Sequence, residues 1–289
     1  MTLQSEVAPL RRVLLKHARE ALVGPERLAG QWRALGWASP PDYDAACRES
    51  DALATLLESL GARIEWMPAR DNGLDSIYVR DAVVVSDAGA ILACMGKPER
   101  AREPEAVGEA LAGVSVPVVG AIQGEGTLEG GDVVWLRSDT LAVGRGYRTN
   151  DEGIEQLRCL VGGGVEIVVT PLPHWRGPSD VFHLMSVLSP LAEDLLLVYS
   201  RLLCVPFREL LLARGFELVE VPHHELDALA CNVLAVAPRV VVALEGAPET
   251  RRRMEAAGVE VHAYTGAEIS AKGSGGPTCL TRPLERDGC

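Results

Sequence analysis

The chain has 289 residues, 47% of them hydrophobic, and a formal net charge of −12. This content allows a large core, and the negative charge argues against a nucleic-acid partner or an anionic membrane surface. No apolar run approaches the roughly 20 residues that span a bilayer, and residues 1–16 lack the apolar core of a signal peptide. The seven cysteines form neither CxxC pairs nor Cys/His clusters. We therefore interpret them as free thiols of a cytoplasmic protein without a zinc site.

A pattern of helix, glycine and short strand recurs along the chain. Leu- and Ala-rich amphipathic stretches end at a glycine, which is typical of a left-handed helix C-cap, and a Val- and Ile-rich strand follows. The glycines are Gly61, Gly113, Gly164, Gly215 and Gly258. A repeat of roughly 50 residues indicates a propeller-like or solenoid array.

Pairs of short apolar strands lie between these repeats: YVRDAVVVSDAGAILAC, GGDVVWLRSDTLAVG, FHLMSVLSPLAEDLLLVYS and CNVLAVAPRVVVAL. Each unit is therefore strand–strand–helix–strand and cannot bury its apolar face alone. We predict an α/β fold, a five-bladed pseudo-symmetric α/β propeller with strands inside and helices outside. Because no linker interrupts the chain, we expect one domain over residues 1–289. The alternative is an open α/β sheet with helices on both faces.

Acidic residues stand where two of these strands begin. In LDSIYVRDAVVV, Asp75, Arg80 and Asp81 precede an apolar strand, and a buried carboxylate there needs a partner. In TLEGGDVVWL, Glu129 and Asp132 flank two glycines that allow close backbone approach. Each stretch has an ordinary alternative, a surface turn.

Two further residues complete a possible catalytic set. His183 lies inside the apolar run FHLMSVLS, where a satisfied core histidine is the alternative interpretation. Cys279 lies on a Gly- and Pro-rich turn in GGPTCL, which indicates an accessible side chain rather than one packed in the core. A cysteine with a distant histidine and a distant acid forms a nucleophile, a base and a group that orients the base.

The motifs DSIYVRD, EGGDVV, FHLMSVLS and GGPTCL, in this order, resemble those of the guanidine-modifying (pentein) superfamily. This superfamily comprises arginine deiminases, amidinotransferases and dimethylarginine dimethylaminohydrolases. The resemblance covers nearly the whole chain and implies the same five-bladed propeller. It makes Cys279 the covalent nucleophile and His183 the general acid and base, and it places Glu129 near the substrate guanidinium, where it can orient His183.

The same resemblance nominates charged residues for substrate binding. Asp81 is expected to bind the guanidinium nitrogens and Asp75 the amino-acid end. Arg148, in GYRTN, and Arg100, in GKPERAREP, are expected to bind a substrate carboxylate. Asp132, from the acidic motif, is counted with them.

Three features depart from this pattern or extend it. Arg80 stands where dimethylarginine hydrolases usually have an acidic residue, so it either contributes to substrate recognition or pairs with a neighbouring carboxylate. Met185 stands where deiminases and amidinotransferases have an aspartate. It either packs against N-alkyl groups of a substrate, which favours a dimethylarginine-type hydrolase, or points into the core. Trp32 and Trp37 lie in a long connection and belong to a lid, a subunit contact or the packing of outer helices.

The predicted function is a cysteine-dependent hydrolase of a small cationic guanidino compound. The resemblance implies conversion of N-methylated arginine to citrulline and methylamine or dimethylamine through a covalent thiouronium intermediate, with no metal or organic cofactor. The alternatives are an arginine deiminase, an amidinotransferase and a propeller-shaped binding protein without activity. A homodimer is also considered.

Overall fold

The computed structural model describes residues 2–23, 30–70, 72–180 and 182–288, and their strands form five separate three-stranded sheets. Blade 1 contains β3 (Val83–Ser86), β4 (Gly89–Leu92) and β5 (Val118–Ala121). Blade 2 contains β6 (Val133–Arg137), β7 (Thr140–Arg145) and β8 (Glu166–Pro171). Blade 3 contains β9 (Leu188–Ala192), β10 (Leu195–Val198) and β11 (Glu217–Glu220). Blade 4 contains β12 (Val233–Ala237), β13 (Val240–Leu244) and β14 (Glu260–Tyr264). Blade 5 contains β15 (Thr281–Arg286), β1 (Leu10–Leu15) and β2 (Arg63–Trp66).

Each blade repeats one strand pattern. Its first two strands pair antiparallel and its last two pair parallel, as β3, β4 and β5 do. A parallel pair needs a crossover, and in every blade a helix provides it. These helices are α2 (Tyr43–Ser59), α3 (Glu103–Gly113), α4 (Asp151–Val161), α5 (Val205–Ala213) and α6 (Pro248–Ala256); the short α1 (Ala18–Leu22) precedes them. The predicted strand–strand–helix–strand unit is confirmed.

The two ends of the chain meet in blade 5. The last strand, β15, pairs antiparallel with the first strand, β1, and β1 pairs parallel with β2. The sequence shows only four strand pairs because the fifth is divided between the chain ends. The predicted five-bladed propeller is confirmed, and the open-sheet alternative is wrong because the blades are separate sheets.

Each crossover helix packs against the blades through a buried and largely apolar face. Leu57, Leu111, Leu157, Leu211 and Met254, one from each crossover helix, are at most 1% exposed. Since the helices occupy the periphery, the ends of the first strands converge near the axis. None of the helices in the described part of the chain combines the length and apolar character that crossing a bilayer requires.

The predicted helix caps are correct in part. Gly61, Gly215 and Gly258 follow their helices with φ of 94°, 84° and 79°. After α3 the left-handed residue is Ser115 rather than a glycine, and after α4 it is Gly162. Gly113 and Gly164 are therefore not the residues that reverse the chain.

Candidate active site

The segment that leads into the first strand of each blade supplies one polar side chain to a common centre, from a position one to five residues before the strand. We call these segments the blade entrances. In blade order they contribute Asp81, Glu129, His183, Asn232 and Cys279. Four of the five were expected from the sequence. Asn232 was missed, although it stands directly before β12 much as Asp81 stands just before β3.

Hydrogen bonds tie neighbouring entrances together. These bonds fix the entrances relative to one another and hence hold the polar side chains at fixed distances from one another. They run from Arg80 N to Cys279 O (3.2 Å), from Gly130 N to Asp81 O (2.8 Å), from Leu184 N to Asp132 Oδ1 (3.0 Å) and from Thr278 N to Asn232 Oδ1 (3.1 Å).

A small pocket opens at this centre. Its cavity volume is about 20 Å³, enough for roughly one water molecule. The lining residues are Leu35, Asp75, Tyr78, Asp81, Arg100, Arg148, His183, Gly273, Ser274, Gly275 and Cys279.

Glu129 is buried and ionised. It accepts hydrogen bonds from His183 Nε2 (2.8 Å), from Gly96 N (3.0 Å) and, through both oxygens, from Arg148 Nη1 (3.0 and 2.9 Å). Burial alone would raise the pKa of Glu129, but His183 and Arg148 outweigh it and hold that pKa well below its usual range. Glu129 can therefore orient His183.

His183 is an imidazolium at neutral pH. Burial lowers its pKa, but Asp81, Asp132 and Glu129 outweigh burial and raise the pKa to about 9. Its Nδ1 lies 3.8 Å from Asp81 Oδ1. A Cβ atom on Gly131 would lie 2.6 Å from this Nδ1, so only glycine lets the ring occupy its place. The expected close approach at the two glycines of the acidic motif is confirmed.

One carboxylate oxygen of Asp81 receives no hydrogen bond from the described residues. Its Oδ2 accepts from Arg100 Nη1 (2.6 Å), whereas Oδ1 is buried and has no hydrogen-bond partner among the described residues. A buried carboxylate oxygen is costly unless a donor reaches it. A cationic N–H donor entering the pocket would satisfy it.

Cys279 is held by an amide. Asn232 Nδ2 donates to its Sγ (3.0 Å), and the amide orientation follows because Asn232 Oδ1 accepts from Thr278 N. Burial and the Asp81 charge raise the pKa of the thiol to about 11, against the smaller effect of Asn232. The thiol is therefore protonated at neutral pH unless a cation binds beside it.

Both predicted carboxylate-binding arginines line the pocket, but both already have acidic partners. Arg100 donates through Nε, Nη1 and Nη2 to Glu103, Asp81 and the Tyr78 carbonyl. Arg148 donates to Glu129. In this arrangement Arg100 and Arg148 position catalytic carboxylates. Contact with a substrate carboxylate stays a prediction for both.

Two nominated residues do not reach the pocket. Arg80 is fully buried, and its Nη2 donates to Glu6 Oε1 (2.5 Å). Asp132 is also fully buried and accepts from Thr149 Oγ1 (2.7 Å) and from Leu184 N (3.0 Å). Their expected contact with the substrate is corrected, because protein partners direct both side chains elsewhere. For Arg80 the alternative, pairing with a carboxylate, is the one observed.

Met185 and the two tryptophans are also placed by packing. Met185 belongs to the largest core cluster, so its predicted contact with N-alkyl groups is corrected in favour of the core alternative. Trp32 and Trp37 pack in the cluster that includes Leu57 of α2. Trp37 Nε1 also donates to Asp75 Oδ1 (2.8 Å). Residues 24–29 of the same connection lie outside the described residues, and a lid motion stays a prediction.

Three ligand atoms of Asp81, Glu129 and His183 lie within 4.8 Å of one another, as in a metal site. Coordination would require His183 to lose its imidazolium proton, against a pKa that its acidic neighbours raise to about 9. A guanidinium needs only the free Asp81 oxygen. The donor arrangement therefore fits an organic cation better than a metal ion.

Five separate blades with a cysteine, a histidine and a glutamate at their common centre define the guanidine-modifying superfamily. The family model of arginine deiminase matches residues 74–207 and 203–286, and the chain belongs to this family. The resemblance inferred from the motifs is thereby confirmed.

Two curated relatives are dimethylarginine dimethylaminohydrolases. The Pseudomonas aeruginosa protein is 28% identical over 243 residues, which cover 83% of this chain and 89% of that protein. The Streptomyces coelicolor protein is 36% identical over 170 residues, which cover 57% of this chain and 61% of that protein. These matches confirm the predicted class of enzyme, a hydrolase of the dimethylargininase and arginine deiminase kind.

Solved structures share the fold. The P. aeruginosa dimethylarginine dimethylaminohydrolase, as a cysteine-to-serine variant with citrulline, has a TM-score of 0.75 at 24% identity and covers 94% of this chain and 98% of its own. SxtG, an amidinotransferase from Microseira wollei, has a TM-score of 0.79 at 16% identity and covers 99% and 97%.

Proposed function

We propose that this chain hydrolyses N-methylated arginine to citrulline and methylamine or dimethylamine, with Cys279 as nucleophile. The observation that carries the proposal is the donor-free Oδ1 of Asp81 in the pocket that also holds Cys279 and His183. A guanidinium N–H fits that oxygen, and charge-assisted hydrogen bonds of this kind are both strong and directional. The names of the two relatives support a methylated substrate.

The first half of the reaction forms a bond to sulfur. The guanidinium cation stabilises the Cys279 thiolate, and the thiol proton leaves to solvent. The thiolate attacks the central guanidinium carbon and gives a tetrahedral adduct. The carbon–nitrogen bond to the methylated nitrogen then breaks, and the His183 imidazolium donates its proton to the departing amine. A thiouronium on Cys279 remains.

The second half releases the ureido product. Now neutral, His183 removes a proton from a water molecule that attacks the thiouronium carbon. The carbon–sulfur bond breaks and Cys279 leaves as thiolate. The sum is one guanidinium and one water converted to one ureido group and one protonated amine. Glu129 stabilises the His183 imidazolium before it protonates the amine and again after it has taken a proton from water.

A second candidate is arginine itself. Because Met185 packs in the core, its side chain gives no reason to prefer a methylated nitrogen over an unmethylated one. The family model that matches the chain is that of arginine deiminase. Hydrolysis of arginine would use the same steps with ammonia as the leaving group.

A substrate panel analysed by mass spectrometry separates these candidates. Arginine, monomethylarginine, asymmetric dimethylarginine and agmatine are compared with and without an added amine acceptor. We expect citrulline and a methylated amine from the methylated substrates. Ammonia from arginine at a higher rate would instead identify a deiminase, and transfer of the amidino group to the acceptor would identify a transferase. No product from any guanidine would contradict the proposal.

Alkylation of Cys279 in the substrate-free protein is expected to depend steeply on pH. With a thiol pKa of about 11, the thiolate fraction rises about tenfold for each pH unit above neutrality. Iodoacetamide labelling of the Cys279 peptide, quantified by mass spectrometry, follows this fraction. Half-exposed Cys204, labelled in the same samples, serves as the internal comparison. A labelling midpoint near neutral pH would show that the free thiol is already activated.

A further inference from the structure

The Lys97 ammonium binds two residues of the pocket wall. Its Nζ donates to Asp75 Oδ2 (2.7 Å) and to the Leu35 carbonyl (2.8 Å). Leu35 and Asp75 both line the pocket that contains Cys279. A carboxylate and a carbonyl that converge on one ammonium are acceptors that a substrate amine would also seek. Here the chain supplies that ammonium itself.

Both carboxylate oxygens of Asp75 already accept a hydrogen bond from the protein. Its Oδ2 is bound by Lys97, and its Oδ1 accepts from Trp37 Nε1 (2.8 Å). Trp37 is 3% exposed and Asp75 6%, so neither is free to turn toward solvent. The sequence led us to expect that Asp75 binds the amino-acid end of the substrate. In the structure the ammonium bound to Asp75 is that of Lys97.

Two cavities share the residues that Lys97 binds. A cavity of about 270 Å³ lies beside the reaction pocket, and Leu35 and Asp75 belong to the walls of both. Lys97 joins these two residues and so holds the shared wall together. The reaction pocket itself has room for little more than one water molecule. A substrate whose distal end reaches this shared wall therefore meets Leu35 and Asp75 with Lys97 already bound to them.

We propose that Lys97 determines specificity at the distal end of the substrate, so that the pocket accepts guanidino carboxylic acids without an α-amino group at least as well as arginine derivatives. This inference rests on the proposed hydrolysis of a guanidino group. An α-ammonium that binds Asp75 and the Leu35 carbonyl must compete with the Lys97 ammonium, which already holds both acceptors in partly buried hydrogen bonds. A des-amino substrate leaves those bonds intact.

The test compares matched substrates that differ only in the α-amino group. Monomethylarginine and arginine are each paired with their des-amino analogue, and kcat/KM is measured for the wild type and for Lys97→Met. In the wild type we expect kcat/KM for each des-amino analogue to equal or exceed kcat/KM for its α-amino partner. In Lys97→Met the preference is expected to move toward the α-amino substrate by about tenfold or more, since the amine position is then vacant.

Lys272→Met is the matched control. Lys272 also binds a carboxylate and a carbonyl through Nζ, those of Glu268 (2.6 Å) and Pro40 (3.2 Å), and neither of these acceptors lines the pocket. Its substrate ratio is expected to equal that of the wild type.

The wild-type ratio needs no variant, so the inference stays testable even if Lys97→Met fails to fold. A wild type that prefers the α-amino substrates by tenfold would overturn the role of Lys97, as would an unchanged ratio in a folded Lys97→Met, and in both cases the hydrolase would stand. Absence of turnover with every member of both pairs would instead refute the hydrolase proposal and the inference with it.

Discussion

Replacement of Cys279 by serine is expected to lower turnover by about 10⁴-fold or more, the scale of loss seen when a covalent enzyme loses its nucleophile. The reaction needs an anionic nucleophile beside a guanidinium, and a serine hydroxyl ionises far less readily than a thiol. The Asn232 amide still finds an acceptor in the smaller oxygen. Because the change nearly preserves the shape of the side chain, we expect a change in unfolding free energy within about 1 kcal/mol.

Product formation and intact-protein mass spectrometry check this expectation together. The wild type, quenched during turnover, should show a covalent adduct that Cys279→Ser lacks. The control is Cys204→Ser. Cys204 is half-buried with a polar partner, Thr170 Oγ1 at 3.2 Å, and stands at the N-cap of α5, where serine is favourable. Cys204→Ser should keep full activity; a Cys279→Ser enzyme of wild-type rate would refute nucleophilic catalysis by this residue.

Glu129→Gln is expected to lower kcat by about 10²- to 10⁴-fold, the usual contribution of general acid–base catalysis. Glutamine keeps the shape but removes the charge that helps to raise the pKa of His183. That pKa should fall, because burial then opposes a smaller negative charge. The alkaline limb of the kcat profile, which reports the protonated imidazole, should move to lower pH. Arg148 also loses its buried carboxylate, which costs about 3–5 kcal/mol of stability.

The measurements are the pH dependence of kcat and denaturant unfolding. Glu225→Gln is the control for a buried glutamate outside the site. Glu225 is 4% exposed and accepts three hydrogen bonds, from Glu249 N and from Thr250 N and Oγ1, at the start of α6. The Glu225→Gln variant should lose stability but keep the kcat and the pH profile of the wild type. If Glu129→Gln showed a wild-type kcat and an unshifted profile, Glu129 would not act through His183.

Local pattern in the sequence determined the repeating unit and most of the residues at the centre. A helix that ends at a glycine and leads into an apolar strand can be recognised without tertiary information, since it depends on backbone conformation and on periodic burial. Polar residues just before apolar strands, such as Asp81 and Cys279, are conspicuous for the same reason. Asn232 follows this rule too and would have been found by comparing all five blade entrances.

Tertiary structure alone decided where long side chains point and what they meet. Arg80 adjoins Asp81 in sequence, yet it turns to Glu6, which is 74 residues away along the chain. Met185 follows His183 by two positions, yet it packs in the core. Adjacent residues in these turns face opposite directions, so sequence proximity to a catalytic residue does not bring a side chain into the pocket.

The occupant of the distal position was likewise beyond the sequence. Lys97 meets Leu35 and Asp75 only after three separate segments have folded together, and no short-range pattern encodes such a contact. The repeat and the fold class follow from local patterns of burial and polarity, whereas the chemistry expected of the reacting end came from the resemblance of four motifs to the superfamily. The fold decided which charges are already paired, since pairing depends on distances between residues far apart in the chain.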